Sequence, residues 1–425
     1  MSIDAESSKI IDRFINSSNN CIFGKFNELM VLDKKFLIYL YVKTSIILSI
    51  TGKIISYLEL LFLLAITMTG GKEASAQSRV PYRSYPDTLT ICVCGDVMMH
   101  TGQIQNAHSS DNTYDFKGCF KYIKGLVESA DISIANMEFP MAGSPYTGYP
   151  EFSAPDQIAY DVAEAGFDVL LAANNHIFDK GSKGAAKTLE VYRKLKEEYG
   201  TDLIGLCADQ ETLDKTTPLT ITRKGIEIAL LNLTYGTNRG ADLHWPKTLY
   251  ISQKETIKKA LQRAEDADLA IVLPHWGTEY VLNHSASQQQ TATWLVENGA
   301  DIIIGAHPHV IQDTQILQSG TKNVNVAYSL GNALSNMSAK NTQLGLLAWV
   351  RITRNHTDDI EILPLEFTYI WCSRPGGFNN GYTIIPVGSF IGKRHLWQGG
   401  WDYDKMMATL ERVMNETGIK DKDIL

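Results

Sequence analysis

The residues best suited to chemistry stand in four short pieces: Gly95-Asp96, Asn174-Asn175-His176, His275-Trp276-Gly277 with Glu279, and His307-Pro308-His309. Each follows an apolar, β-like run: TICVC, DVLLAA, LAIVLP and DIIIGA. In an α/β fold, residues just past the carboxyl ends of strands gather along one edge of the sheet. Carboxylate, imidazole and amide oxygen gathered there suit a hard or borderline divalent cation. The pattern predicts one metal site assembled from separate strand ends, and makes the chain an enzyme candidate.

Each piece has its own logic. Asp96 ends the first run, and the glycine before it lets the backbone crowd the site. His100 shares the parity of Asp96 in an extended chain and is a candidate ligand or substrate contact. Asn136 and Glu138 follow the next run, and a Glu carboxylate has two oxygens with which to bridge two cations. Asn174, Asn175 and His176, with Asp179 and Gly181 behind them, read as polar ligands on a tight turn. Their amides would also cap a helix beginning near Ser182. An Asn oxygen can complete a metal shell, and a His can donate a proton. In extended backbone both imidazoles of His307-Pro308-His309 point the same way and can serve one centre. Pro308 stiffens that geometry. One histidine alone is ordinarily a core residue. Three at two strand ends, beside acid and amide groups, favour a metal. Ser329, in Tyr328-Ser329-Leu330-Gly331-Asn332, lacks the flanking glycines of a nucleophile elbow. No G-x-x-x-x-G-K-[ST] or G-x-G-x-x-G occurs, which disfavours a nucleotide-loop enzyme.

The elements that must position these groups alternate along the chain. Strand-like runs cover Leu89–Cys94, Ile132–Ala135, Val169–Ala173, Leu203–Cys207, Ala267–Leu273 and Ile302–Gly305. Helical patterns cover Gln157–Ala165, Ala185–Tyr199, Lys254–Glu265 and Gln288–Asn298. Such alternation argues for βαβ units and a largely parallel, buried sheet. Leu219–Thr222 with Glu227–Asn232, turning at Lys224-Gly225, and Leu344–Thr353 with Ile360–Phe367 read as antiparallel pairs. They predict a second sheet beside the first. Trp401 to Gly418 reads as a closing helix.

Composition sets loose bounds. The 425 residues can bury a large core, and the net charge of −8, with no basic stripe, gives no support for nucleic-acid binding. An anionic polymer would need a locally positive site such as a metal. Residues 1–76 differ from the rest. The apolar stretch Ile54–Met68 follows Lys53 and precedes Ala74-Ser75-Ala76, an A-x-A cleavage pattern. This predicts a secretory signal or an N-terminal membrane anchor, and either one exports the remainder to the periplasm or cell envelope. Residues 77–88 read as a linker. Five of the six cysteines lie after residue 77 with no C-x-x-C, so buried inert thiols are expected rather than a disulfide framework.

The stretches Gly95–His100, Ile134–Glu138, GYPEFSAP at 148–155, GFDVLLAANNHIFDKG at 166–181, HWGTEY at 275–280, GADIIIGAHPHV at 299–310 and YSLGN at 328–332 occur in one order. With them the chain resembles the bacterial capsule-synthesis CapA family, also called the poly-γ-glutamate synthesis family. That family is similar to the calcineurin-like metallophosphoesterases. The resemblance implies an α/β, metallophosphoesterase-like four-layer sandwich of two stacked mixed sheets flanked by helices. It would span 89–374, with 375–425 a C-terminal extension packing on it. It further implies Asp96, Glu138, Asn175, His275, His307 and His309 as ligands of two divalent ions (Mn, Fe or Zn), and His176 as general acid. There are departures. Met98 stands where the superfamily places a His after its first Asp, Ala135-Asn136-Met137-Glu138 replaces G-D-x-x-D, and the last motif is G-x-H-x-H. One metal position would then be altered, weak or empty.

The expected mechanism is attack on phosphorus by a water that the ions activate. His176 would protonate the leaving oxygen, oriented by Asp179. His100, Asn136, Asn174, Trp276, Glu279 and Tyr280 are candidate substrate contacts, and the 148–155 loop would help line a groove. The implied partner is an anionic cell-surface polymer or its precursor, with a membrane synthase complex beside it. Two other roles stay open: a non-catalytic polymer-binding subunit of that synthase, and a metal-dependent γ-glutamyl amide hydrolase.

Overall fold

The structure is a computed structural model and describes residues 88–239, 245–354 and 359–423. The signal or anchor expected in 1–76 lies outside the described residues, as does the linker up to 87. Among the described residues no helix is long and apolar enough to cross a membrane.

In chain order the first βαβ region comprises β1 (Thr88–Val97), α1 (Thr101–Ala107), β2 (Ile132–Met137), α2 (Gln157–Glu164), β3 (Val169–Leu171), α3 (Gly181–Tyr199) and β4 (Asp202–Ile204). A hairpin follows, β5 (Leu219–Arg223) and β6 (Ile226–Thr234), then α4 (Lys254–Arg263), β7 (Leu269–His275), α5 (Ala286–Glu297) and β8 (Ile302–Ile304). The remainder is β9 (Thr314–Ser319), β10 (Lys322–Ala327), β11 (Asn332–Leu334), β12 (Leu344–Arg354), β13 (Ile360–Ile362), β14 (Glu366–Ser373), β15 (Thr383–Pro386) and α6 (Gly400–Thr417).

These strands form two mixed sheets. The nine-stranded sheet runs β15-β14-β12-β1-β2-β3-β4, with β11 beside β1 and β13 beside β12. The six-stranded sheet runs β5-β6-β7-β8-β10-β9. Strands β1 to β4 are mutually parallel, as are β6, β7, β8 and β10, while the outer pairings are antiparallel. The expected second sheet exists, but the two antiparallel pairs divide between the sheets. β5–β6 edges the smaller one, whereas β12 joins the larger beside β1. The predicted Ile360–Phe367 strand is two strands, β13 and β14. Pro364 lies in the gap between them, where a residue without an N–H cannot continue the ladder.

Period-two alternation stacks the sheets. Leu89, Ile91 and Val93 of β1 face the same core as Ile228 and Leu230 of β6 and Leu269, Ile271 and Leu273 of β7. Cys92 and Cys94 point to the opposite face, under the helical layer that includes Ile158 and Val162 of α2 and Val191 and Leu195 of α3. Ala270 and Val272 face α4 and α5 through Ile257, Leu261, Leu295 and Val296. The layers are therefore helix, sheet, sheet, helix. Each fully buried Leu or Ile contributes roughly 1.5–3 kcal/mol, so a one-residue slip of any strand would forfeit several such terms. The C-terminal region is integral: β15 pairs with β14, and Met406, Leu410 and Val413 of α6 enter the inter-sheet core. The β5–β6 turn has φ of 52° at Lys224 and 74° at Gly225, the backbone a two-residue hairpin requires. The five cysteines of the described residues are free, and burial raises the thiol pKa of each.

Candidate metal centre

Five strand ends from both sheets meet at one edge. β1 delivers Asp96, β2 delivers Asn136 and Glu138, and the turn after β3 carries Asn175 and His176. From the other sheet β7 ends on His275, and the turn after β8 carries His307 and His309. Close backbone passage makes this possible. A Cβ on Gly95 would lie 2.0 Å from the Gly331 carbonyl oxygen, and one on Gly305 would lie 2.2 Å from that of Tyr328. No other residue fits at either strand end.

Three groups of side chains bring potential ligand atoms within 4.8 Å of one another: Glu138, His275 and His307; Asp96, Glu138 and His309; and Glu279, His307 and His309. Asn175 Oδ1 lies 2.8 Å from His275 Nε2, beside the first group. Glu138 links the first two groups. It is fully buried, and neither carboxylate oxygen accepts a hydrogen bond. His275 Nε2 at 3.4 Å and His309 Nδ1 at 3.7 Å are near enough to feel its charge, but neither directs an N–H at it. Asn136 Oδ1 and His307 Nδ1 are buried beside it with no partner either. Buried polar atoms are nearly always satisfied, so several orphans converging on one point fit a cation. The donor set of carboxylate, imidazole and amide oxygen matches Mn, Fe or Zn.

Neighbouring groups orient the ligands. Asn136 Nδ2 donates to Asp96 Oδ1 at 2.7 Å, and the His307 backbone N–H donates to Asp96 Oδ2 at 3.2 Å. Asn332 donates its amide protons to Ser335 Oγ and the Thr342 carbonyl. Its Oδ1 therefore faces His309 Nδ1, 3.1 Å away, and accepts the proton on that nitrogen, which fixes the ring. Asp179 Oδ2 holds His176 Nδ1 at 2.7 Å and also accepts the Phe152 N–H at 2.8 Å. The Phe152 ring meets the His176 imidazole edge-on at 4.6 Å. Asn238 reaches the same nitrogen at 3.1 Å, and its N–H donates to the Asn175 carbonyl at 2.8 Å.

Electrostatics follow from this packing. Burial works to raise the Asp96 pKa, but His309, His275 and Asn136 outweigh it and hold the carboxyl below its ordinary range. Burial opposes the charge on His309, yet Glu138 and Asp96 push its pKa up to about 9. Burial, reinforced by His275 and His309, holds His307 well below the ordinary imidazole value. The site without a cation thus keeps one imidazolium between two buried carboxylates, where a cation would replace its proton.

The structure corrects several expectations. His307 and His309 are not in extended backbone. Their φ values of 102° and 59° make a left-handed turn, and this turn is what brings both rings to the cluster. Trp276 lines no groove. It is buried on the outer face of β7, stacks on Tyr328, and donates its indole N–H to the Tyr328 carbonyl at 2.9 Å. Asn174 is no substrate contact either. Its amide donates to the Met137 carbonyl and its oxygen accepts the His176 N–H, so it braces the turn. The Asn174 and Asn175 amides do not cap α3, whose N-terminus has no side-chain cap. Asn136 is buried, with its amide engaged by Asp96 and His275. His100 is absent from the ligand groups. It sits at the N-terminus of α1 with its N–H donating to Gln103, and burial lowers its pKa to about 4. Glu279 and Tyr280 do face the mouth, and Glu279 lies within ligand reach of two histidines. Asn332, Asn238 and Tyr235, whose exposed ring lies 4.6 Å from that of His307, belong to the site and were not singled out from sequence. Asn332 alone had a signal, as the last residue of the YSLGN motif.

Residues 90–337 match the family described as bacterial capsule synthesis protein PGA_cap, a span that includes every residue of the cluster. The chain belongs to this family. It is 29% identical over 324 residues to the capsule biosynthesis protein CapA of Bacillus anthracis, covering 73% of this chain and 74% of that protein. It is 26% identical over 294 residues to the PGA biosynthesis protein CapA of Bacillus subtilis (strain 168), covering 66% and 72%. Among solved structures, NAD nucleotidase of Haemophilus influenzae superposes with a TM-score of 0.41 at 14% identity, over 80% of this chain and 64% of that one. The 5′-nucleotidase of Candida albicans SC5314 gives 0.38 at 14% identity, over 76% and 57%. Within this PGA_cap protein, the orphaned Glu138 oxygens and the paired histidines form the only ligand cluster of this type among the described residues.

Proposed function

We propose that this protein is an exported, metal-dependent phosphoester hydrolase that acts in the biosynthesis of a capsule or poly-γ-glutamate-type surface polymer. The observation that carries the reading is Glu138, a buried carboxylate with both oxygens unsatisfied between His275 and His309. Asp96, Glu138, Asn175, His275, His307 and His309 would hold two divalent ions, which when bound supply Lewis-acid stabilisation and an activated water. The chain's own residues do the rest. His176, with Nδ1 fixed on Asp179, presents Nε2 as the proton donor to the leaving oxygen. Phe152 packs against that imidazole and shields it from water. Exposed Tyr149, Tyr235 and Tyr280, at 71%, 48% and 44%, rim the mouth and supply flat contact surfaces to an extended substrate. The partner is an anionic surface polymer or its precursor at the cell envelope, beside a membrane synthase.

The test is turnover by the full-length chain with Mn(II). A nitrophenyl phosphodiester and a γ-glutamyl nitroanilide would be compared, in wild type and His176→Gln. Phosphodiester cleavage that falls at least 100-fold in the variant supports the reading. Cleavage of the anilide alone would replace it with an amide hydrolase. No turnover of either, with metal and polymer both bound, would replace it with a binding subunit.

A further inference from the structure

The cluster has a third ligand group that the buried residues do not account for. Glu279 is solvent-exposed, yet its carboxylate lies within 4.8 Å of ligand nitrogens of both His307 and His309. An exposed glutamate is ordinarily a solvated surface group, but this one is held by its backbone. Gly277 turns at φ 102°, and a Cβ there would lie 2.6 Å from Gln288 Nε2, so the turn admits glycine only. Tyr280 follows in the left-handed region at φ 66°, and its N–H donates to the Pro308 carbonyl at 2.8 Å. That bond ties the Glu279 turn to the residue between the two histidines. On the histidine side, Asn332 occupies His309 Nδ1 and leaves Nε2 free, while His307 Nδ1 is buried without a partner.

We propose that Glu279 is a ligand to the outer of two cations, closing with His307 and His309 a site distinct from the buried group of Glu138, His275 and His307. Two imidazoles and one carboxylate suit a hard or borderline divalent ion such as Mn(II) or Zn(II). Because Glu279 is exposed, the outer cation is the one that meets incoming substrate, and Glu279 is the ligand free to swing aside. This inference rests on reading the cluster as a metal centre.

Full-length chain stripped with chelator is titrated with Mn(II) while the free aqua ion is followed by EPR. Wild type is expected to take up two ions. Glu279→Gln is expected to keep one at wild-type affinity and to weaken the other at least 10-fold, and Glu279→Asp to recover part of the loss. Unchanged affinities for both ions in Glu279→Gln overturn the proposal and leave the metal-centre reading intact. Failure of wild type to bind Mn(II), with Zn(II) failing in parallel, overturns both.

Discussion

Replacing Glu138 with Gln separates a metal ligand from a structural acid, because the two roles predict opposite dependence on added metal. The side chain keeps its volume, so packing changes little. In the metal-free protein two terms oppose each other. The attraction between Glu138 and the His309 imidazolium, 3.7 Å apart, is ~4 kcal/mol at an effective dielectric of 20. The cost of keeping the carboxylate buried with no hydrogen bond is several kcal/mol, on the order of the same size. They nearly cancel, so metal-free Glu138→Gln should melt within a few degrees of metal-free wild type. With metal the variants part. A cation present at a hundred times its Kd stabilises the folded state by about 2.7 kcal/mol. In a chain of this size that is worth roughly 5 °C. Thermal melts of both proteins, with and without Mn(II), should show this shift in wild type and its loss in Glu138→Gln. A variant that melts far below wild type without metal, yet still gains the full shift with it, would refute the reasoning. Glu138 would then be a structural acid with no ligand role.

Four further outcomes follow from the same contacts. Asp179→Asn leaves His176 without its anionic anchor and should lower kcat at least ~100-fold while Mn(II) affinity stays within twofold; a matching loss of metal would move Asp179 into the ligand set. Asn332→Ala frees His309 Nδ1 and should weaken metal binding by ~10–100-fold, read by chelator competition, and unaltered binding would show that the ring is oriented by packing alone. Trp276→Phe removes the bond to the Tyr328 carbonyl and should cost ~1–2 kcal/mol in urea denaturation with metal content unchanged, whereas lost metal would return Trp276 to the site. Burial raises Asp421 to about 6, so its stabilising contribution is present below the unfolded value near 3.8 and is lost as pH rises through 6. Asp421→Asn should therefore gain stability relative to wild type between pH 4 and pH 7, by up to about 3 kcal/mol in urea denaturation, and a difference that stays flat with pH would contradict the assignment.

Much of this architecture is legible in the sequence, for a physical reason. Runs such as TICVC and LAIVLP are buried on both faces, so they read as continuous apolar strands, and the groups after them must fall at the sheet edge. Period two even settles Trp276. His275 shares parity with Leu269, Ile271 and Leu273, which face the other sheet, so Trp276 must face the helices. What sequence did not carry is backbone of the other hand. An extended H-x-H is the simplest expectation, but His307 and His309 both adopt positive φ, a conformation that non-glycine residues take only under outside constraint. Here the constraint is visible: the His307 N–H is held by Asp96, and the Pro308 carbonyl by Tyr280. Contacts between residues far apart in sequence set that turn, and no local propensity encodes them. The same holds for Asn332, which reaches His309 only because β11 pairs beside β1.

The strained turn bears on the chemistry. Two left-handed residues in succession around a proline cost on the order of 1–3 kcal/mol each. The fold offsets that cost with a nine-stranded and a six-stranded sheet packed through a shared core. What the turn gains is convergence: with extended backbone the two rings would align along one strand, whereas the turn gives His307 to the Glu138 group and lets His307 and His309 both face Glu279. One histidine, His307, then belongs to both ion positions, the inner one with Glu138 and His275 and the outer one with Glu279 and His309. A centre bridged in this way couples the two ions. Loss of the bridging His307 should weaken both sites together, while loss of Glu279 should weaken one. That asymmetry distinguishes a two-ion centre from a single cation ringed by surplus acids.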